Sequence, residues 1–406
     1  MTLKNNNYTI KTVKKSEIYI KNNIKNNLNN IKGVIFDCDG VLIDARLSYD
    51  LAIKNTISLI LSNLISKKLD SNIIPNQIIE KLRETGGFNN DCDTVYAIII
   101  YILSNLGKKV TDFIKIVNGE GFDKLKLDKK FLKVNGGIEI SKFMLLNMLK
   151  GRIFPKFIKQ LQKLNQCNIQ TLKKLLINEF GNECNKIIKS VDDYTSYKKN
   201  IKNNIITTIF DEFFYGKKLF NIKHNKINQF TNTNGLIKNE KSIITRKSLE
   251  TLEKMFTKEN LGIVSGRSLI SAKFTLKSLM NYFNKKALIF IEDEEVKYKS
   301  KQLAAKIWKP NPYSLLKALN KLNTDNNILY IGNSSEDYIM TEAVKLKKNV
   351  FFVGVYDSNN TPEETKKYYL KNEVDIILPN VNYIIDLFFK SNNTKWFHRE
   401  WGKKNE

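Results

Sequence analysis

Five short apolar, β-branched runs recur in the second half of the chain: LGIVS (261–265), ALIFI (287–291), ILYIG (328–332), NVFFVGVY (349–356) and VDIILP (374–379). Between them lie stretches with helical apolar spacing, at 268–283, 312–322, 335–346, 362–371 and 381–390. An unbroken apolar strand is one buried on both faces, and strands that alternate with helices form βαβ units. The expected fold is therefore α/β, a doubly wound, Rossmann-like parallel sheet covered on both sides by helices. A further run of the same kind, KGVIFD (32–37), stands more than 200 residues upstream of the others.

That separation sets the domain organisation. From about 45 to 245 the chain is mostly helical in pattern, with apolar residues at helical spacing in 49–66, 94–105, 139–149 and 170–179. A helical domain over 45–244 is thus expected inside an α/β domain built from 32–44 and 245–392, with NTNGLIKNE (232–240) as one crossing. Residues 1–31 read as a loosely docked or poorly ordered extension, and 393–406 as a polar tail. Trp396, Phe397 and Trp401 in that tail are expected to dock on the surface.

The chemistry gathers at strand ends. VIFDCDGVLID (34–44) runs an apolar strand into Asp37 and Asp39, which project to one side if the extended geometry persists. A lone aspartate at a strand end usually caps a turn; a pair at the carboxyl edge of a doubly wound sheet stands where ligands bind. The next strand ends on Ser265, with Gly266 and Arg267 opening a helix, a setting that suits a phosphate oxygen. After the third comes WKPNP (308–312), which puts Lys309 before a helix as a compact positive charge. The fourth ends in IGNSSED (331–337), bringing Asn333, Glu336 and Asp337. Oxygen-only ligands of this kind suit Mg²⁺, which needs few protein groups and keeps several waters.

Composition narrows the alternatives. With His224 and His398 as the only histidines, a histidine-built zinc site or a Ser-His-Asp triad is not expected. Cys38, Cys92, Cys167 and Cys184 show no metal-binding spacing and read as reduced thiols. The formal charge of +26 accompanies Lys and Asn spread along the whole chain, without a basic stripe or a nucleic-acid motif. Nucleic acid is accordingly not the expected partner, although a positive field favours anionic small molecules. No apolar run is long enough for a membrane span; YAIIIYIL (96–103) reads as a buried helix. The expected location is cytoplasmic, with no secretory segment and no Arg- and Ser-rich transit segment.

The ordered set DCDGV (37–41), Ser265, Lys309 and GNSSED (332–337) resembles the four motifs of the haloacid dehalogenase superfamily of hydrolases, mostly Mg²⁺-dependent phosphatases. The resemblance covers 32–44 and about 245–390. GGFNNDCDT (86–94), GIVSGR (262–267), KPNP (309–312) and VGVY (353–356) look like those of an archaeal-type, phosphatase-like subgroup whose substrate is poorly defined. The inserted helical domain looks like the cap such enzymes place over the active site.

The resemblance implies a role for each motif residue. Asp37 would be the nucleophile that forms an aspartyl-phosphate, and Asp39 the acid and base. Ser265 would bind the transferring phosphoryl group and Lys309 offset its charge. Mg²⁺ would be held by Asp37, the Asp39 main-chain carbonyl, Asn333 and Asp337. Gly266, Arg267, Asn89 and Asp93 are candidate substrate contacts, on a small phosphorylated metabolite. Arg267 is equally suited to pairing with a surface carboxylate, and Asp91 or Asp93 to capping the helix that follows. One departure stands out: Asn333 occupies a position where the family usually carries Asp. It leaves open a catalytically weak binding or regulatory protein, and a metal-free dehalogenase, though dehalogenases lack the second aspartate present here as Asp39.

Overall fold

The structure is a computed structural model. It describes residues 7–65, 68–88, 90–105, 147, 149, 151, 153–164, 167–195, 197, 204–297 and 305–388. The expected tail at 393–406 lies outside these residues.

Two compact units share the chain, Met1–Ala45 with Glu240–Glu406, and Arg46–Asn239. The first is an α/β unit. Its strands are β1 (Tyr8–Val13), β2 (Ser16–Lys21), β3 (Ile31–Phe36), β4 (Ile43–Asp44), β5 (Lys241–Ser242), β6 (Leu261–Ser265), β7 (Leu288–Phe290), β8 (Asn327–Gly332), β9 (Val350–Val355) and β10 (Ile376–Leu378). The main sheet runs β1-β2-β10-β9-β8-β3-β6-β7, and β4 pairs with β5 separately. From β10 to β7 all pairs are parallel. Numbered among themselves, those six strands follow the doubly wound order 3-2-1-4-5-6, so the winding reverses between β3 and β8.

Both faces are covered. Ile35, Val264, Tyr330 and Phe352 join Leu315, Met340 and Tyr369 from the helices Tyr313–Leu319, Ser335–Lys345 and Pro362–Lys371 in one buried cluster. The helix Arg246–Phe256 buries Leu249, Leu252 and Phe256, and Phe36 meets Phe283 edge to face at 5.7 Å. Two-sided burial is what the continuous apolar strand sequences require.

The N-terminal segment differs from expectation. Rather than a loose extension, β1 and β2 form an antiparallel hairpin that joins the sheet through β10, pairing Ile20 with Ile376 and Tyr19 with Ile377. Ile18, Tyr19 and Ile20 are buried. Short-range polarity in 1–31 hides this, because the strand acquires its partner some 350 residues later. The expected helix at 381–390 is a 3₁₀ segment, Val381–Leu387.

The second unit is helical: Arg46–Ile65, Asn76–Glu84, Asp91–Ser104, Ile153–Leu161, Ile169–Phe180, Asn182–Thr195 and Ile205–His224. Asp91–Ser104 is buried on every side from Thr94 onward, as an all-apolar helix must be. Tyr101 stacks on Phe157 and Tyr96 on Tyr197 around it. Among the described residues no helix is long and apolar enough to cross a membrane.

If the hairpin belongs to the sheet, Ile18→Ala opens a cavity under it and lowers unfolding free energy by about 2–5 kcal/mol in a urea titration. A change within about 0.5 kcal/mol is the surface value, and would mean that the hairpin is peripheral.

Candidate functional site

Residue register brings the motif strands to one level. Phe36 lies opposite Ile263 of β6 and Ile331 of β8, and the Asp37 amide continues the ladder by donating to the Ile331 carbonyl at 2.8 Å. Cys38, Ser265 and Asn333 therefore follow in one row at the carboxyl edge, beside the reversal of winding. After Cys38 the chain turns back tightly: the amides of Val41, Leu42 and Ile43 all donate to the Cys38 carbonyl. Gly40 makes this turn at φ +73°, and a Cβ there would stand 2.0 Å from the Asn333 amide nitrogen. Both the dihedral and the close approach require glycine.

Lys309 joins the first and last motifs. Its Nζ lies 2.9 Å from Asp37 Oδ1 and 2.8 Å from Asp337 Oδ1. Burial alone would lower the ammonium's pKa, but the two carboxylates hold it well above the ordinary value. Burial pushes Asp37 up to about 6; Lys309 opposes the rise and the Asp337 charge adds to it. Asp337 goes the other way: burial raises it, yet Lys309 and hydrogen bonds from Ser334 and Tyr330 bring it below the usual carboxylate range.

Asp337 is fully committed. Oδ1 accepts from Lys309 and from the Tyr330 hydroxyl at 2.7 Å. Oδ2 accepts from the Ser334 hydroxyl and the amides of Asn333 and Ser334. Ser334 in turn accepts from the Asp337 amide, so the pair forms the capping box of the helix Ser335–Lys345. The side chain is fully buried. Asp337, expected as a metal ligand, has its oxygens on Lys309, Tyr330 and the helix end.

Asn333 is also fixed by neighbours. Its Nδ2 donates to Asn359 Oδ1 at 2.8 Å, while Asn359 Nδ2 donates to the Asn333 carbonyl and to Thr365 Oγ1. These bonds orient both amides and leave Asn333 Oδ1 as the oxygen turned elsewhere. Ser358 donates to the Gly40 carbonyl, so the loop after β9 ties the first and fourth motifs together. Neither Asn359 nor Ser358 carried a sequence signal, since both act through main-chain geometry of distant segments.

Ser265 is buried, accepts from the Arg267 amide at 3.4 Å and shares a hydrogen bond with the Cys38 thiol. Gly266 backs onto the Trp308 ring, 3.3 Å from where a Cβ would stand. Arg267 was weighed between substrate and a surface carboxylate; the structure pairs it instead with a buried one, its own side chain at 0% exposure, one nitrogen 2.7 Å from Glu240 and Nε 3.4 Å from Asp39. In the helical unit Asn89 lies outside the described residues, and Asp93 occupies the first turn of Asp91–Ser104. Asn90, rather than Asp91 or Asp93, caps that helix, accepting from the Cys92 amide. Asp91 pairs with Arg83, which also holds Asp50.

Glu336 is the residue that does not balance. It is 8% exposed, and its Oε1 has no hydrogen-bond partner among the described residues. Burial and the neighbouring Asp337 charge push its carboxyl up to about 8. Among the described residues no three His, Cys, Asp or Glu side chains converge as a metal cluster. A divalent cation of the Mg²⁺ kind needs less: one or two carboxylates, a carbonyl, an amide oxygen and water. Asp37, the Asp39 carbonyl and Asn333 Oδ1 are oxygens of these kinds at the carboxyl edge, and Glu336 Oε1 adds a buried oxygen without a hydrogen-bond partner among the described residues.

No family model matches the chain. No curated protein is similar to it. Among solved structures, the Northeast Structural Genomics Consortium target ZR25 is similar with a TM-score of 0.58 and 17% identity, over 88% of this chain and 98% of that one. A HAD-superfamily hydrolase of subfamily IA, variant 1, from Geobacter sulfurreducens aligns at a TM-score of 0.34 and 15% identity, over 89% of this chain and 97% of that one. The first likeness supports the fold alone, an α/β unit with a Rossmann-like parallel sheet.

Glu336 gives a pH test. Its pKa of about 8 lies above the ordinary 4.5, so the folded state holds the proton more tightly than the unfolded chain. The resulting penalty is absent below about pH 4.5 and complete above about pH 8. In chelator, Glu336→Gln is expected to stabilise the protein at about pH 8.5, by about 1–3 kcal/mol, and to do little near pH 5. Equal effects at both values would contradict this burial of an unpaired acid.

Proposed function

We propose that the protein is a Mg²⁺-dependent phosphomonoester hydrolase of the haloacid dehalogenase type, acting on a small phosphorylated metabolite. The observation that carries this reading is Lys309 held between Asp37 and Asp337 at the ends of β3 and β8. Asp39 stands two residues beyond Asp37, with its side chain 36% exposed, and Ser265 ends the neighbouring strand.

In this reaction Asp37 attacks phosphorus while Lys309 balances the charge of carboxylate and phosphoryl group. The bond from phosphorus to the leaving oxygen breaks, and Asp39 gives that oxygen its proton. Water then attacks the aspartyl-phosphate; Asp39 takes a proton from it, and phosphate leaves with Asp37 restored. Ser265 Oγ hydrogen-bonds a phosphoryl oxygen. Asp37, the Asp39 carbonyl and Asn333 Oδ1 would hold the Mg²⁺, which when bound lowers the repulsion between nucleophile and phosphate. The helical unit, Arg46–Asn239, would serve as the cap that selects the substrate, with Asn89 and Asp93 as candidate contacts.

The test is phosphate release from an aryl phosphate and a phosphometabolite panel. We expect Mg²⁺-dependent turnover that Asp37→Asn reduces by at least about 10³-fold, the scale of removing a covalent nucleophile. Folded, metal-loaded protein that released no phosphate from any compound would exclude the proposal.

A second reading, a non-catalytic binding or regulatory protein, draws on the neutral amide at Asn333. Asn333→Asp separates the two. Little gain in Mg²⁺ affinity or turnover is expected, which would mean that Asn333 is already a competent ligand. A large gain in both would mark a decayed enzyme.

A further inference from the structure

We propose that Arg267 and Glu240 act as a positioning pair for Asp39, so that the acid of the first motif is held by the segment where the chain re-enters the α/β unit. The inference rests on the phosphatase reading above. Glu240 is the first residue of the α/β unit after the helical insertion. Its Oε1 lies 2.7 Å from an Arg267 terminal nitrogen, and its Oε2 accepts from the Thr275 hydroxyl at 2.6 Å. Both side chains of the ion pair are fully buried. Arg267 Nε lies 3.4 Å from Asp39 Oδ1, an ionic contact rather than a hydrogen bond.

Two features make this more than a structural ion pair. A guanidinium is a rigid fork, so fixing one end on Glu240 fixes where Nε points. A terminal nitrogen of Arg267 is already engaged by Glu240, whereas the Asp39 side chain keeps 36% of its surface open. Asp39 thus has its Oδ1 beside a buried cation while its side chain stays partly exposed. A buried pair of this kind is weak evidence for stability, since apolar residues of similar volume often serve as well. Orientation is what apolar replacements would not reproduce.

Positioning should show in the step that moves a proton. As phosphorus transfers to Asp37, the bond to the leaving oxygen breaks and Asp39 delivers its proton there. An alkoxide needs that proton; a nitrophenolate does not. The experiment compares kcat/KM for an alkyl phosphate and for para-nitrophenyl phosphate in the wild type, in Arg267→Lys and in the double variant Arg267→Met/Glu240→Leu. The double variant removes both charges together and so avoids stranding either one in the core. A melting curve checks that each variant is folded.

The expected result is a loss of roughly tenfold to a hundredfold on the alkyl phosphate and less than about threefold on the aryl phosphate, in both variants. Equal losses on the two substrates, or no loss in the double variant, overturn the positioning role while leaving the phosphatase reading intact. A wild type inert towards both substrates overturns that reading, and this inference with it.

Discussion

One ammonium group organises the carboxyl edge of the sheet. Lys309 approaches Asp37 and Asp337 at nearly equal distances, and neither carboxylate could remain buried and ionised beside the other without it. Removing one partner from a buried ionic network costs about 3–5 kcal/mol, because the remaining charge loses its compensation. The arrangement works because Asp337 is immobilised first. The capping box, Tyr330 and two main-chain amides take up its remaining acceptor sites, so Lys309 has a fixed anchor from which to reach Asp37. Gly332 permits it: a Cβ there would stand 2.4 Å from the Asp337 Cβ.

The sheet topology explains why these residues meet. In the order 3-2-1-4-5-6 the sheet grows from β3 towards β6 in one direction and from β8 towards β9 in the other, and the edge at that reversal is where doubly wound sheets bind ligands. Asp37 and Asn333 stand on either side of that reversal. Ser265 comes from the neighbour on one side, while Ser358 and Asn359 follow β9 on the other. Four loops that are remote in sequence thus share one row of backbone positions.

The apolar runs made the parallel sheet legible, because strands buried on both faces cannot alternate with polar residues. All six parallel strands fall within two residues of their sequence signals at each end, from Ile31–Phe36 to Ile376–Leu378. The hairpin of β1 and β2 was not legible: TIKTV and EIYIK are polar enough to read as surface, and their partner β10 lies at the far end of the chain. The candidate site was readable as residue types at strand ends, but not as a set of partners. Arg267 offered no choice between carboxylate and substrate until Glu240 was placed beside it. Asn333 looked like a lost charge; beside Asn359 it is one half of an oriented amide pair. Asp337 looked like a ligand, yet its place in the capping box depends on Ser334 three residues earlier, a signal present in the sequence but overshadowed by the acidic cluster.

The central claim is that Asp37 carries the phosphoryl group. Quenching the protein during turnover and reducing it with borohydride converts an acyl-phosphorylated aspartate to homoserine, which peptide mass spectrometry locates. The account predicts conversion at Asp37, dependent on substrate and absent in Lys309→Met, where the charge that supports the nucleophile is gone. Conversion at another carboxylate, or turnover with no modified aspartate, would contradict it.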